Sequence, residues 1–151
     1  MKTVLMAAMC FAAGLSSPAV AKDLVPFRGS LQLTETAVGQ PPILSVHSSG
    51  GGEATHLGRF TATFVFQVDV TTSTALGSFI LIAANGDSVF GTFSGHATGT
   101  GRFASVVETA TITGGTGRFA DATGSFTIER ALDHATGLSS GSFNGTIDLD
   151  D

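Results

Sequence analysis

The sequence predicts an all-β protein, and within that class a closed antiparallel barrel of seven or eight strands. Three observations carry the expectation. Apolar residues recur with a period of two along most of the chain, and clusters of Gly, Pro, Asn and Asp interrupt these runs at a spacing of roughly ten to fifteen residues. No segment of ten or more residues after Ala21 carries the i, i+3, i+4, i+7 apolar spacing of a helix. A sandwich would share these features. The barrel is preferred because Gly recurs inside strand patterns at Gly29, Gly77, Gly91 and Gly145, where closing a sheet calls for sharp bends.

The first 21 residues read as an export signal. Lys2 supplies a positive start, Val4 to Leu15 is a short apolar run, and Ser16-Ser17-Pro18 breaks it before Ala19-Val20-Ala21. Small residues three and one places before a cut are what signal peptidase accepts, so cleavage is expected between Ala21 and Lys22. The run is too short to cross a bilayer core of roughly 30 Å as a helix, and no later segment is longer, so no membrane span is expected. Cys10, the only cysteine, would leave with the signal, and residues 22–151 would form a single disulfide-free barrel domain, secreted or periplasmic.

The strands follow in order. Phe27 to Thr36 alternates Phe27, Gly29, Leu31 and Leu33 against polar partners, and Ile43 to Ser48 is a weaker candidate. Arg59 to Val70 is the clearest, with Phe60, Ala62, Phe64, Phe66, Val68 and Val70 all on one face. Leu76 to Ala84 is apolar on both faces and runs into Asn85-Gly86-Asp87, which is hairpin-turn chemistry. Ser88 to Ser94, Arg102 to Thr113, Gly124 to Leu132 and Ser142 to Leu149 complete the set. Turns are expected at Gly39 to Pro42, Ser48 to Gly52, Thr98 to Gly101, Gly114 to Gly117 and Asp133 to Gly137. Gly-Arg-Phe occurs three times, at Gly58, Gly101 and Gly117, as a turn-to-strand device: Gly bends, Arg stays in water and Phe starts the core face.

Composition narrows function more than it names one. Only 13% of the 151 residues are charged and 42% are hydrophobic, which suits a folded core rather than disorder. A net charge of −5 leaves no basic stripe for phosphates, so no nucleic-acid partner is expected. Thr111 to Gly117 (TITGGTG) imitates a dinucleotide loop, but no helix follows it and no βαβ unit exists. His47, His56, His96 and His134 lie at separations of 9, 40 and 38, without a local zinc spacing, so neither metal nor cofactor is expected.

Two charged residues break an apolar face. Glu108 shares its face with Ala104, Val106, Ala110 and Ile112, and Arg130 shares its face with Phe126 and Ile128. A charge there is costly unless paired, so neighbouring strands that bring the two together would make either a structural ion pair or the polar end of a ligand cavity.

Ile112 to Phe126 (ITGGTGRFADATGSF) resembles the glycine-rich strand-turn-strand signature of the allene oxide cyclase and dirigent barrel superfamily, and of small secreted bacterial proteins that carry the same element. The close match covers about 15 residues, and Asn85 to Gly95 extends it more loosely. The resemblance implies an eight-stranded barrel around a hydrophobic cavity, often as a homotrimer. It implies too that enzymatic members protonate or cyclise a substrate with acidic residues and Tyr, Arg or Asn. This chain has 12 Phe and no Tyr, so one element of that chemistry is absent.

Three functions remain open. The barrel binds a small hydrophobic ligand among Phe64, Phe66, Val106 and Phe126; or it is a dirigent-like or allene-oxide-cyclase-like isomerase or cyclase using Glu108 and Arg130; or its interior is filled by its own side chains. A pocket below about 300 Å³ would leave only the last.

Overall fold

The computed structural model describes residues 23–149, so the expected signal segment, residues 1–21, lies outside the described residues. Eight strands follow one another: β1 Leu24–Val38, β2 Ile43–Ala54, β3 Gly58–Asp69, β4 Thr74–Ala83, β5 Ser88–Thr98, β6 Phe103–Gly115, β7 Thr123–Asp133 and β8 Leu138–Asp148. Each pairs antiparallel with the next, and β1 pairs with β8, closing the barrel in simple up-and-down order. Closure leaves no free sheet edge. The single 3-10 turn, η1 Gly117–Phe119, lies between β6 and β7. No helix among the described residues is long and apolar enough to cross a membrane, which says nothing about crossing by strands.

The inward face follows the period of two. On β3, Phe60, Ala62, Phe64 and Phe66 are buried while Thr61, Val65 and Gln67 are exposed. Large inward side chains need room across a narrow barrel, and glycines of the neighbouring strands supply it. Phe143 faces Gly29, Phe27 faces Gly145 and Phe79 faces Gly91 across paired strands. A Cβ added at Gly29 would press on the Phe143 ring, and one at Gly145 on the side chain of Phe126.

Two expectations are corrected. Ser48 to Gly52 is not a turn, because β2 runs straight through it to Ala54. Gly50 and Gly52 sit opposite Leu33 and Leu31, and a Cβ at either would strike the β1 backbone. These glycines therefore allow a close, coiled approach of two strands rather than a chain reversal. The Gly-Arg-Phe device holds in full only at Gly58, since Phe119 ends the η1 turn rather than starting a strand and Phe103 faces outward. All three glycines have positive φ (68°, 91° and 60°) and so do bend the chain, and Phe60 and Phe119 are buried. Phe103 is 61% exposed, because the inward positions of β6 are the even ones. Its ring lies instead under the Arg102 guanidinium, 5.1 Å from its centroid.

The two ends of the barrel differ. One end is closed by the β2–β3, β4–β5 and β6–β7 connections, where Leu57, Val89, Phe119 and Ala122 are buried. Above them lies a cluster of phenylalanines with ring centroids 5.1 to 6.1 Å apart, mostly edge-on or tilted. The other end, where β1–β2, β3–β4, β5–β6 and β7–β8 connect, is open.

Candidate functional site

At the open end the interior widens into a cavity of about 420 Å³. Its wall is apolar, formed by Leu44, Val46, Phe66, Val68, Val106 and Leu132, and its rim carries Ser73, Thr74, His96 and His134. Glu35, Glu108 and Arg130 also line it. The volume exceeds the roughly 300 Å³ at which ligand pockets begin, so the barrel is not wholly filled by its own side chains. A larger depression of about 540 Å³ lies on the outer wall against Gln32, Thr34, Ser49 and Leu138. Its charged member is Asp133, which is already engaged by Arg102.

The charged residues meet through the register of the barrel. Glu108 on β6 pairs with Ile128, so Arg130, two residues further along β7, is its diagonal neighbour on the same inward face. Arg130 Nε donates to Glu108 Oε1 at 2.5 Å. Its Nη1 crosses β8, donates to Ser139 Oγ at 2.9 Å and reaches Glu35 Oε1 on β1. β8 presents Gly141 opposite Arg130, where an added Cβ would lie 2.7 Å from Arg130 Cβ. Gly95 on β5 does the same for Glu108, whose Cγ would be 2.6 Å from an added Cβ. Two strand glycines thus make room for the two buried charges.

The side chains of Glu108 and Arg130 are 2% and 3% exposed, and that of Glu35 is 13% exposed. Burial disfavours the guanidinium charge, but the attraction and hydrogen bonds of Glu108 and Glu35 outweigh it and hold the Arg130 pKa above the ordinary arginine value. With both carboxylates ionised, the trio carries one negative charge in excess.

Beside it is an orphan. Ser48 Oγ, on the inward face of β2 directly opposite Glu35, is fully buried and has no hydrogen-bond partner. It is the only such buried side-chain atom among the described residues. The rim is braced by Arg102, which clamps Asp133 with two hydrogen bonds of 2.9 and 2.8 Å and joins the β5–β6 and β7–β8 connections. That pairing holds the Asp133 pKa well below the usual carboxylate range; burial opposes it, and the Ala135 N–H assists.

The expected site residues divide. Glu108 and Arg130 come together at the cavity, where Phe66 and Val106 form part of the wall. Phe64 and Phe126 lie one step deeper in the aromatic cluster, against Phe79 and Phe93 in one case and Phe27, Phe79 and Phe143 in the other, and are not part of the cavity lining. Glu35, Ser48 and Ser139 were not foreseen. The signal for Glu35 was present in the sequence: continuing the alternation of Phe27, Gly29, Leu31 and Leu33 by one step places Glu35 inward. Among the described residues no group of three or more His, Cys, Asp or Glu is arranged to hold a metal ion.

Comparison with known proteins bears on the fold. No family model and no curated protein matches the chain. Among solved structures, a pterocarpan synthase dirigent protein superposes on 89% of this chain and 96% of its own, with a TM-score of 0.61 and 12% identity. The chain therefore has a dirigent-like barrel fold. The segment that carries the sequence resemblance, Ile112 to Phe126, forms the β6–η1–β7 closure at the end opposite the cavity. There Thr116 accepts the Ser88 backbone N–H at 3.0 Å and Arg118 lies 3.9 Å from Asp87.

Proposed function

We propose that this protein binds a small, largely apolar molecule in the open end of its barrel, with the body of the ligand against the aliphatic wall and its polar end at the Glu35–Arg130–Glu108 trio. One observation carries the reading: an apolar cavity of about 420 Å³ that is also lined by the hydrogen-bonded Glu35–Arg130–Glu108 trio. Apolar walls supply affinity by burial, and a few convergent polar groups supply orientation. Membership of the allene oxide cyclase and dirigent-like superfamily, export through residues 1–21 and assembly as a homotrimer belong to the same proposal. The Ile112 to Phe126 signature, the N-terminal pattern and the exposed Val65, Leu76 and Phe90 on the outer wall support these in turn.

The test is titration with the neutral fluorophore N-phenyl-1-naphthylamine. Saturable one-to-one binding, lost in a Val106→Phe variant that fills the cavity while keeping its fold, is expected. Absence of saturable binding, or binding indifferent to Val106→Phe, removes the reading.

A second reading, an isomerase or cyclase, is favoured by the placement of Glu35. Its carboxylate is the more accessible of the two and touches a guanidinium able to stabilise developing negative charge. In this reading Glu35 moves the proton and Glu108 positions Arg130. The dirigent-like fold is compatible with such chemistry without establishing it. Deuterium uptake at the α-carbons of 4-phenyl-2-butanone, followed by NMR, tests it: a wild-type rate no greater than that of Glu35→Gln would end it.

A further inference from the structure

The charge balance of the trio restricts what the cavity accepts. The hydrogen bonds that hold it together use Arg130 Nε and Nη1 and one oxygen from each carboxylate. Glu35 and Glu108 each keep a second oxygen that no described hydrogen bond engages, and a formal count of two carboxylates against one guanidinium leaves one negative charge in excess. Beside Glu35, the buried Ser48 hydroxyl can donate one hydrogen bond and accept another, and makes neither. The guanidinium serves two acids and a serine through Nε and Nη1, which leaves Nη2 as its one group outside the described hydrogen bonds, and its single positive charge is set against two carboxylates.

We infer that the cavity selects ligands whose polar end is a hydrogen-bond donor without negative charge, a hydroxyl or a protonated amine, and rejects carboxylates. The inference rests on the binding function proposed above and adds the sign of the head group. A hydroxyl or ammonium donates to the free oxygen of Glu35, which lines the cavity. A carboxylate at the same place would bring a second unbalanced negative charge to within about 4 Å of the first, in surroundings far less polar than water, where that repulsion is several times its value in bulk solvent. The rim histidines, His96 and His134, stand at the mouth and face bulk solvent, away from the trio.

The experiment uses three ligands with one apolar body: 4-phenylbutylamine, 4-phenylbutanol and 4-phenylbutyrate, titrated calorimetrically into the mature protein at pH 8, where an imidazole in water is uncharged. The amine and the alcohol are expected to bind at least about 10-fold more tightly than the carboxylate. In Glu35→Gln, which removes one charge and keeps the shape, the amine-to-carboxylate ratio is expected to fall several-fold. A carboxylate that binds as tightly as the amine overturns the inference while leaving the binding function standing. If none of the three binds, the binding function fails and the inference with it. A wild-type preference that persists undiminished in a folded Glu35→Gln variant also overturns it, because the trio would not be its source.

Discussion

The two halves of the barrel use the same eight strands for opposite purposes. In the closed half the inward positions are Phe, Leu, Ile and Val matched to glycines on neighbouring strands, and the rings fill the interior. In the open half the same inward face carries Glu35, Glu108, Arg130 and Ser48, and space is left over. Apolar burial stabilises a fold, whereas buried ion pairs return little of their desolvation cost. The closed half is therefore where stability resides, and the open half holds groups whose presence stability does not explain. The segment that resembles a known superfamily belongs to the closed half, which is why it is informative about the fold and silent about the ligand.

The sharpest way to break this contrast is to truncate one large side chain in each half. Phe126→Ala, which removes a ring packed on Phe27, Phe79 and Phe143, is expected to cost about 3–5 kcal/mol in urea unfolding. Leu132→Ala, on the cavity wall, should cost clearly less because part of its surface already faces open space. Equal losses would mean that the two halves are equally packed.

Next in size is the trio. Arg130→Met alone leaves the buried Glu108 carboxylate without its partner and is expected to destabilise by about 3 kcal/mol. The combined variant Glu35→Gln, Glu108→Leu, Arg130→Met should unfold at or above the wild-type urea midpoint while losing the discrimination between amine and carboxylate. If the triple variant were as unstable as Arg130→Met alone, the charges would be structural and the open half no different in kind from the closed one.

Ser48→Ala should raise the stability of the ligand-free protein by about 1 kcal/mol, since it deletes a buried hydroxyl that has no partner. A loss of similar size would show that the hydroxyl is satisfied in solution.

The smallest effect concerns the rim. The folded-state pKa of Asp133 lies below its ordinary value of 3.8, so the contribution of the Arg102–Asp133 clamp is complete above that pH and is lost as acid titrates the carboxylate below it. Amide exchange in the β5–β6 and β7–β8 connections should accelerate below pH 3.8 in the wild type, and in Asp133→Asn should already be fast at neutral pH. The closed-end turns should not respond.

Much of this molecule was legible residue by residue. The alternation from Arg59 to Val70 identified a strand and its buried face, and the turn at Asn85 to Asp87 is closed as that chemistry implies, with the Asn85 side chain accepting the Asp87 backbone N–H at 3.0 Å. Glu108 and Arg130 stood out because a charge on an apolar face has to be paired. Glu35 lay inside the expected strand and at an inward position, but Thr34, Glu35 and Thr36 are polar on both faces, so no apolar neighbour made its charge conspicuous. Ser48 was hidden in a run of small residues that resembles a turn and is in fact a strand bent closely against its neighbour.

The difference between Phe66 and Phe64 shows where such reading stops. Both alternate inward on one strand, yet one lines the cavity and the other is buried in the aromatic cluster. A pleated backbone turns successive side chains to opposite faces, so facing is a local property that the order of residues carries. Height along the barrel axis is set by the stagger of eight paired strands, and so is the meeting of Glu35 with Arg130 across 95 positions of chain. Those contacts were decided only by closure of the sheet, because no local pattern encodes how far each strand slides past the next.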